Sequence, residues 1–144
     1  MLRAKLGKEV VVKAKNDIGR LFKLSKLLSD KGMNILAVSG AVYGEDCVIR
    51  LITDDHLRTM ETLAAANYAP HEENVVLVEL SHKPGMLKRV TETLAKEGID
   101  IHHVFATALD EHDRSLVVLH SSNDAHALVK MVEMEAKEHA AATV

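Results

Sequence analysis

An internal duplication is the feature that most constrains how this chain of 144 residues folds. Residues 16–38 align without a gap to residues 82–104, at an offset of 66, and six of the aligned pairs are identical. The matches fall on glycines and on apolar positions of the kind that fill a core, so the chain is predicted to contain two copies of one small module. The identical pairs are Gly19/Gly85, Leu21/Leu87, Leu28/Leu94, Gly32/Gly98, Ile35/Ile101 and Val38/Val104.

Each copy opens with the pattern of a strand followed by a helix. Runs rich in β-branched residues at 10–12 and 75–80 predict the strands. The apolar residues that follow recur at spacings of three and four, which predicts amphipathic helices; they are Ile18, Leu21, Leu24, Leu27 and Leu28, then Leu87, Val90 and Leu94. Gly32 and Gly98 stand where a left-handed glycine would end each helix.

A β-hairpin and a second helix are predicted to complete each copy. The first hairpin runs over 35–43, turns at Gly44-Glu45 and returns through 48–52, and the second runs over 101–109, turns near 111–113 and returns through 116–119. Residues 53–55 and 122–124 supply N-cap side chains for the next helix. The predicted units are residues 8–72 and 73–138, with a tail at 139–144. The first reads βαββαβ, whereas the second has no strand pattern after its last helix.

These motifs resemble those of the ACT domain. The matching residues are Lys83-Pro84-Gly85-Met86-Leu87 with 97–101 in the second copy, and 16–21 with 31–35 in the first. The resemblance implies an α+β fold of two ferredoxin-like βαββαβ units side by side, with antiparallel sheets and helices on one face. It also implies a non-catalytic regulatory protein that binds a free amino acid at the interface between units and forms a homodimer.

The chemistry of the loops suits an amino-acid ligand. The first turn of a helix offers unpaired backbone N–H groups and the positive end of the helix dipole, which attract a carboxylate. Gly19 and Gly85 stand at that turn, where a glycine lets a ligand approach the backbone. Asp17, Arg20, Leu21, Met86 and Leu87 belong to the same two turns.

The family resemblance adds further ligand-contacting positions outside the turns. It assigns Asn34 and Asp100, which follow the helix-ending glycines, and Asn16 and His82, which precede the turns. An amide or a carboxylate there provides acceptors for an ammonium group. We rank Asn34 and Asp100 first; the alternative, that they are only exposed polar residues after a helix, remains open.

Composition limits the other classes of function. The net charge of −3 and the lack of a basic run disfavour nucleic acid as a partner. Cys47 is the only cysteine, so a disulfide within the chain is excluded. No signal peptide or membrane span is expected, and a cytoplasmic location follows. Neither a catalytic motif nor a cofactor motif occurs, so we expect no cofactor and no enzyme activity. Nine histidines raise the question of metal, with His103 predicted opposite His120, but no metal-binding spacing supports a site.

The working hypothesis is a stand-alone amino-acid sensor that acts on an enzyme of amino-acid metabolism. The alternative is a regulatory subunit or interaction module that docks a metabolic enzyme or a transcription factor without a ligand of its own. Saturable heat of binding with a free amino acid would separate the two.

Overall fold

The computed structural model describes residues 2–109 and 114–143, and the side chains of all of these except 108 and 109. This part of the chain forms six strands and four helices, which confirms the predicted α+β class. In chain order they are β1 Leu2–Lys15, α1 Arg20–Asp30, β2 Ile35–Tyr43, β3 Asp46–Thr53, α2 His56–Ala65, β4 His71–Ser81, α3 Met86–Lys96, β5 Ile101–Leu109, β6 Arg114–Ser121 and α4 Asp124–Ala142. None of these helices is long and apolar enough to cross a bilayer.

The chain divides into two compact units, and both boundaries fall inside strands. The first unit is Lys8–Glu73, and the second comprises the described part of residues 1–7 and 74–144. Since β1 spans Leu2–Lys15 and β4 spans His71–Ser81, each of these strands contributes residues to both units. The first unit therefore obtains its last strand segment, residues 71–73, from the beginning of β4.

In the first unit, β3 lies between β2 and β1 and pairs antiparallel with both. Val10, Val12, Ile49 and Leu51 alternate along β1 and β3, so their side chains share one face of the sheet. Both helices cover that face. The core is Val10, Val12, Leu24, Leu28, Met33, Cys47, Ile49, Leu51 and Leu63.

The second unit repeats this arrangement, with β6 between β4 and β5 and antiparallel to both. Its fourth strand segment comes from the start of the chain, because residues 2–7 of β1 belong to this unit and β1 neighbours β4. Leu2 is 1% exposed and belongs to the same core as Ala127, Met131 and Met134 of α4. The core is Leu2, Val76, Val78, Leu80, Met86, Val90, Leu94, Ile99, Val117, Leu119, Ala127, Met131 and Met134.

The turn and cap predictions are confirmed where the structure describes them. Residues 44–45 form the tip of the first hairpin, whereas the predicted tip at 111–113 lies outside the described residues. Gly32 and Gly98 end their helices at φ of 77° and 67°. Asp55 accepts a hydrogen bond from the N–H of Arg58 at 3.1 Å, and Asn123 accepts one from the N–H of His126 at 3.0 Å.

The assignment of Ile18 to the apolar face of the first helix is wrong. Helix α1 begins at Arg20, and Ile18 lies in the preceding turn with its side chain 98% exposed. The left-handed Gly19 separates it from the helix, so the spacing of three between Ile18 and Leu21 does not translate into a shared face.

A buried ion cluster joins the strands of the first unit. The Arg50 guanidinium donates to Glu9 at 2.6 Å and to Glu73 at 2.8 Å, and Glu9 is fully buried. Burial by itself would lower the pKa of Arg50, but the hydrogen bonds and charges of both carboxylates outweigh it and raise the pKa above its ordinary value. The cluster fixes β1, β3 and β4 together at the point where β4 enters the unit.

We expect Leu2→Ala to destabilise the protein by about 2 kcal/mol or more, because it leaves a cavity in the core of the second unit. Leu6→Ala is the matched control: Leu6 is a leucine of the same strand segment, is 51% exposed, and its loss should cost less than about 0.5 kcal/mol. Urea unfolding followed by circular dichroism measures both. Equal costs for the two variants would show that residues 2–7 do not complete this core.

Candidate functional site

The two turns before α1 and α3 have the same backbone geometry. Gly19 precedes α1 with φ of 82° and ψ of 10°, and Gly85 precedes α3 with φ of 89° and ψ of −10°. Both conformations are left-handed, where a side chain other than that of glycine is strained. A Cβ atom at either glycine would meet nothing within 4 Å. Backbone conformation, rather than crowding, therefore requires glycine at these two positions.

Helices α1 and α3 lack the capping that the other two helices have. Asp55 and Asn123 cap α2 and α4, whereas neither Gly19 nor Gly85 can supply a side-chain cap, and no acidic residue lies in the first turn of α1 or α3. The first backbone N–H groups of a helix have no hydrogen-bond acceptor within the helix itself. In α1 the cap residue supplies no side-chain acceptor to the N–H groups of Leu21 and Phe22 either. These two helix starts retain donors and a positive dipole end for an external acceptor.

The first turn borders a cavity of about 360 Å³ in the first unit, here called the first cavity. The turn and the start of α1 form one wall, and the ends of β2 and β3 form the other. Its lining is Asn16, Asp17, Gly19, Arg20, Leu21, Phe22, Gly40, Ala41, Val42, Cys47 and Ile49. The cavity is open to solvent on one side, where the Phe22 side chain is 67% exposed.

The second turn borders an equivalent cavity of about 270 Å³ in the second unit, here called the second cavity. Its lining is Leu80, Ser81, His82, Lys83, Gly85, Met86, Leu87, Ala106, Thr107, Ser115 and Val117. At the offset of 66, the turn residues and the β-strand pair Gly40/Ala106 occupy corresponding places in the two linings. The duplication in the sequence is therefore also a duplication of the cavity.

The predicted turn residues of each copy lie around one cavity. Asn16, Asp17, Gly19, Arg20 and Leu21 line the first. The second is lined by His82, Gly85, Met86 and Leu87. The structure thus groups nine of the eleven predicted ligand contacts, and which of them touch a ligand stays a prediction.

The two top-ranked residues, Asn34 and Asp100, lie outside both cavity linings. Their side chains are exposed, and their backbones join the first strand of each hairpin to the segment before the next helix. The N–H of Asn34 donates to Asp54 Oδ1 at 2.9 Å, and the N–H of Asp100 donates to Ser122 Oγ at 3.0 Å. Within one unit, these backbone hydrogen bonds connect the start of the hairpin to the residues that follow its second strand.

The strand wall of each cavity is the part that the sequence analysis missed. Gly40, Val42, Cys47 and Ile49 lie on strands that the sequence analysis assigned only to the hairpin. In β2 and again in β5, a bulge between the first and third residues shifts the alternation of side chains, so faces counted from the strand start are wrong. The useful signal was the small residue at the same aligned position of both copies, Gly40 and Ala106.

The charges that face the two cavities differ. In the first, Arg20 Nη2 lies 3.8 Å from Asp17 Oδ2, and Lys23 lies 3.3 Å from the same oxygen. In the second, Lys83 takes the place of Asp17 and the buried Met86 takes the place of Arg20. The first cavity therefore holds one carboxylate and one guanidinium, whereas the second holds an ammonium group and no carboxylate among its lining residues.

The histidines of the second hairpin follow the predicted register. His103 lies opposite His120, as predicted. His102 lies at the strand bulge between Ile101 and His103, and its ring centroid lies 5.7 Å from that of His120. Within the described residues, no group of three or more histidine, cysteine, aspartate or glutamate side chains is arranged to hold a metal ion.

Comparison with protein families decides the relationship that the two βαββ repeats suggested. The model of the ACT domain pair matches residues 7–140, which is nearly the whole chain. This chain belongs to that family. The ACT domain pair is a regulatory, non-catalytic type of domain. No curated protein sequence matches the chain.

Solved structures of other proteins show the same fold. A protein of Bacteroides thetaiotaomicron superimposes with a TM-score of 0.85 at 23% identity, over 92% of this chain and 90% of that one. The regulatory subunit of aspartate kinase from Thermus thermophilus gives 0.60 at 14% identity, over 90% and 95%. The corresponding subunit from Thermus flavus gives 0.59 at 15% identity, over 92% and 95%. At these identities, the likeness establishes the fold alone.

We expect Gly19→Ala to destabilise the protein by about 1 kcal/mol, since alanine is strained at a left-handed φ. Gly40→Ala is the matched control, because Gly40 lies in a strand without a positive φ and a Cβ there meets nothing within 4 Å. The control should leave stability unchanged or slightly raised. Chemical unfolding of both variants tests this, and a larger cost at Gly40 than at Gly19 would contradict the backbone argument.

Proposed function

We propose that this ACT domain pair is a cytoplasmic regulatory protein that binds a free amino acid in one or both cavities and acts on an enzyme of amino-acid metabolism. The observation that carries the proposal is the cavity built twice at the uncapped, glycine-preceded start of a helix. Such a helix start supplies donors to a carboxylate, and the strand wall supplies an apolar surface for a side chain.

The proposal assigns the eleven predicted residues as ligand contacts in two groups. The turn residues Asn16, Asp17, Gly19, Arg20 and Leu21 contact a ligand in the first cavity, and His82, Gly85, Met86 and Leu87 contact one in the second. Asn34 and Asp100 are exposed outside these cavities. They would contact a ligand held by a second copy of the chain.

The proposed regulatory role is supported by the family to which the chain belongs and by the solved structures to which it is similar. The ACT domain pair is a regulatory type of domain, and two similar structures are regulatory subunits of aspartate kinase. We extend from those proteins to this one the idea of association with an enzyme of amino-acid metabolism. The proposal assigns no reaction to the chain itself.

A thermal-shift screen of the free amino acids tests the ligand. An amino acid present at 100 times its dissociation constant should stabilise the protein by about 2.7 kcal/mol. Gly40→Leu should abolish the shift if the first cavity binds, and Ala106→Leu if the second does, because each variant fills one cavity from its strand wall. Ala64→Leu, at an exposed position of α2 outside both linings, is the control.

The screen has a clear contrary result. No stabilisation by any free amino acid at millimolar concentration would exclude the proposed ligand class. A shift that survives in the double variant Gly40→Leu/Ala106→Leu would show binding, but at a different place.

Homodimer formation is the second part of the proposal, and it is supported by the outer strand of the first unit. Strand β2 pairs only with β3 in the described structure, so its other edge presents unpaired backbone groups. Leu36, Val38 and Val42 along this strand are exposed. An exposed apolar edge of this kind favours pairing with another chain, since natural proteins usually protect such edges with charges.

We expect light scattering after size exclusion to give the mass of a dimer for the wild-type protein and a shift toward monomer for Val38→Lys. A lysine on an edge strand opposes strand pairing by charge and by its solvation. Val132→Lys, on the exposed side of α4, is the matched control and should stay dimeric. A monomeric wild type at all concentrations would contradict the proposal.

The second candidate function is an interaction module that binds a metabolic enzyme or a transcription factor without a ligand of its own. The observation in its favour is the exposure of three large apolar side chains that line the first cavity or adjoin its lining in sequence, namely Ile18, Phe22 and Tyr43. Exposed apolar groups that lie together are typical of protein-binding surfaces. Calorimetry separates the candidates, because only the sensor gives saturable heat with a free amino acid.

A further inference from the structure

We infer that the first cavity is selective for α-amino acids with apolar side chains, and that the second cavity does not share this selectivity. The inference rests on the proposed function and specifies which ligand the first of the two cavities takes. Three features of the first cavity carry it: a carboxylate, a guanidinium with unused donors, and a lining that carries no other charge and is mostly apolar.

Asp17 and Arg20 provide opposite charges at the same end of the first cavity. The Asp17 carboxylate lies in the turn, and the Arg20 guanidinium lies 3.8 Å from it at the first residue of α1. An α-amino acid presents an ammonium group and a carboxylate separated by one carbon atom, so it can pair its ammonium with Asp17 and its carboxylate with Arg20. The uncapped N–H groups of α1 add donors on the carboxylate side.

The Arg20 guanidinium is held in place but makes little use of its donors. It lies over the ring of Tyr68 at 6.0 Å from the centroid, and Nε is buried without a hydrogen-bond partner in the described structure. A guanidinium has five N–H donors in a fixed plane, which match the two oxygens of a carboxylate. The contact of Nη2 with Asp17, at 3.8 Å, is too long for a hydrogen bond. A ligand carboxylate supplies the acceptor that this donor set lacks.

Apart from Asp17, Arg20 and the uncharged Asn16, the lining is apolar. Phe22 and Val42 are exposed at its mouth, and Cys47 and Ile49 are buried at its floor. Apart from Asp17 and Arg20, no lining residue of the first cavity carries a charge. A charged ligand side chain would lose hydration against this wall without a partner, whereas an apolar side chain gains by burial there.

The second cavity has different chemistry in the same place. Lys83 stands where Asp17 does, and the lining residues include no carboxylate to accept a ligand ammonium group. Met86 stands where Arg20 does, and it is buried in the core of the second unit. Ser81, Thr107 and Ser115 make its wall more polar than that of the first cavity. An apolar zwitterion therefore finds both its charge partners in the first cavity alone.

Isothermal calorimetry on the full chain tests the inference with L-leucine, L-isoleucine, L-valine, L-methionine and L-phenylalanine, against L-lysine, L-aspartate and L-serine. We expect one site per chain for at least one apolar amino acid, with affinity at least about tenfold higher than for the charged and hydroxylated ones. Gly40→Leu should abolish this binding and Ala106→Leu should leave it unchanged.

The charge assignment is tested with Asp17→Asn, whose matched control is Asp30→Asn at the other end of α1, where Asp30 pairs only with Lys26 in the described structure. Asp17→Asn should weaken binding of the apolar amino acid at least about tenfold, since it removes a charged partner. It should leave binding of the corresponding 2-oxo acid, which has no ammonium group, unchanged. The control should alter neither.

The outcomes distinguish this inference from the function on which it rests. If no amino acid binds, both fail. If the best ligand is lysine, aspartate or serine, or if Ala106→Leu rather than Gly40→Leu abolishes binding, the inference is wrong while amino-acid sensing stands. An equal loss of affinity in Asp17→Asn and Asp30→Asn would also overturn the inference. The loss would then reflect the net charge of the protein and not a contact between Asp17 and the ligand.

Discussion

The division of β1 between two units is the constraint on which the rest of the fold depends. A βαββα segment leaves one sheet edge and one core position unfilled, and in the second unit the first residues of the chain fill both. The first unit is completed in turn by the first residues of β4, which the cluster of Glu9, Arg50 and Glu73 holds in place. Within the described residues, two copies of one module therefore become two complete units, because each takes a strand segment from β1 and β4.

The second constraint is the left-handed glycine before α1 and before α3, and it connects the fold to the proposed function. A residue that is left-handed and has no side chain turns the chain into the helix but cannot cap it. The helix start therefore keeps its N–H groups without a side-chain cap, and a cavity lies between it and the strands of the same unit. The other two helices carry a side-chain cap, from Asp55 in α2 and from Asn123 in α4.

The sequence predicted the parts of the molecule that depend on local patterns. The apolar spacing of Leu24 and Leu28, the glycines at 32 and 98 and the first hairpin tip were all readable because neighbours in sequence determine them. Ile18 was assigned wrongly because the spacing of apolar residues carries no information about the left-handed backbone conformation of Gly19. The place of residues 2–7 and the strand wall with Gly40 depend on contacts between distant segments and on a bulge, for which one sequence gives no local signal.

The position of Cys47 makes its thiol a chemical probe of the first cavity. It is the only cysteine of the chain, its thiol is buried, and it forms part of the cavity floor beside Ile49. A ligand in the first cavity would cover the floor to which Cys47 belongs, so we expect bound ligand to slow modification of this thiol. Because the chain has no other cysteine, protection of thiol modification would report on this one cavity.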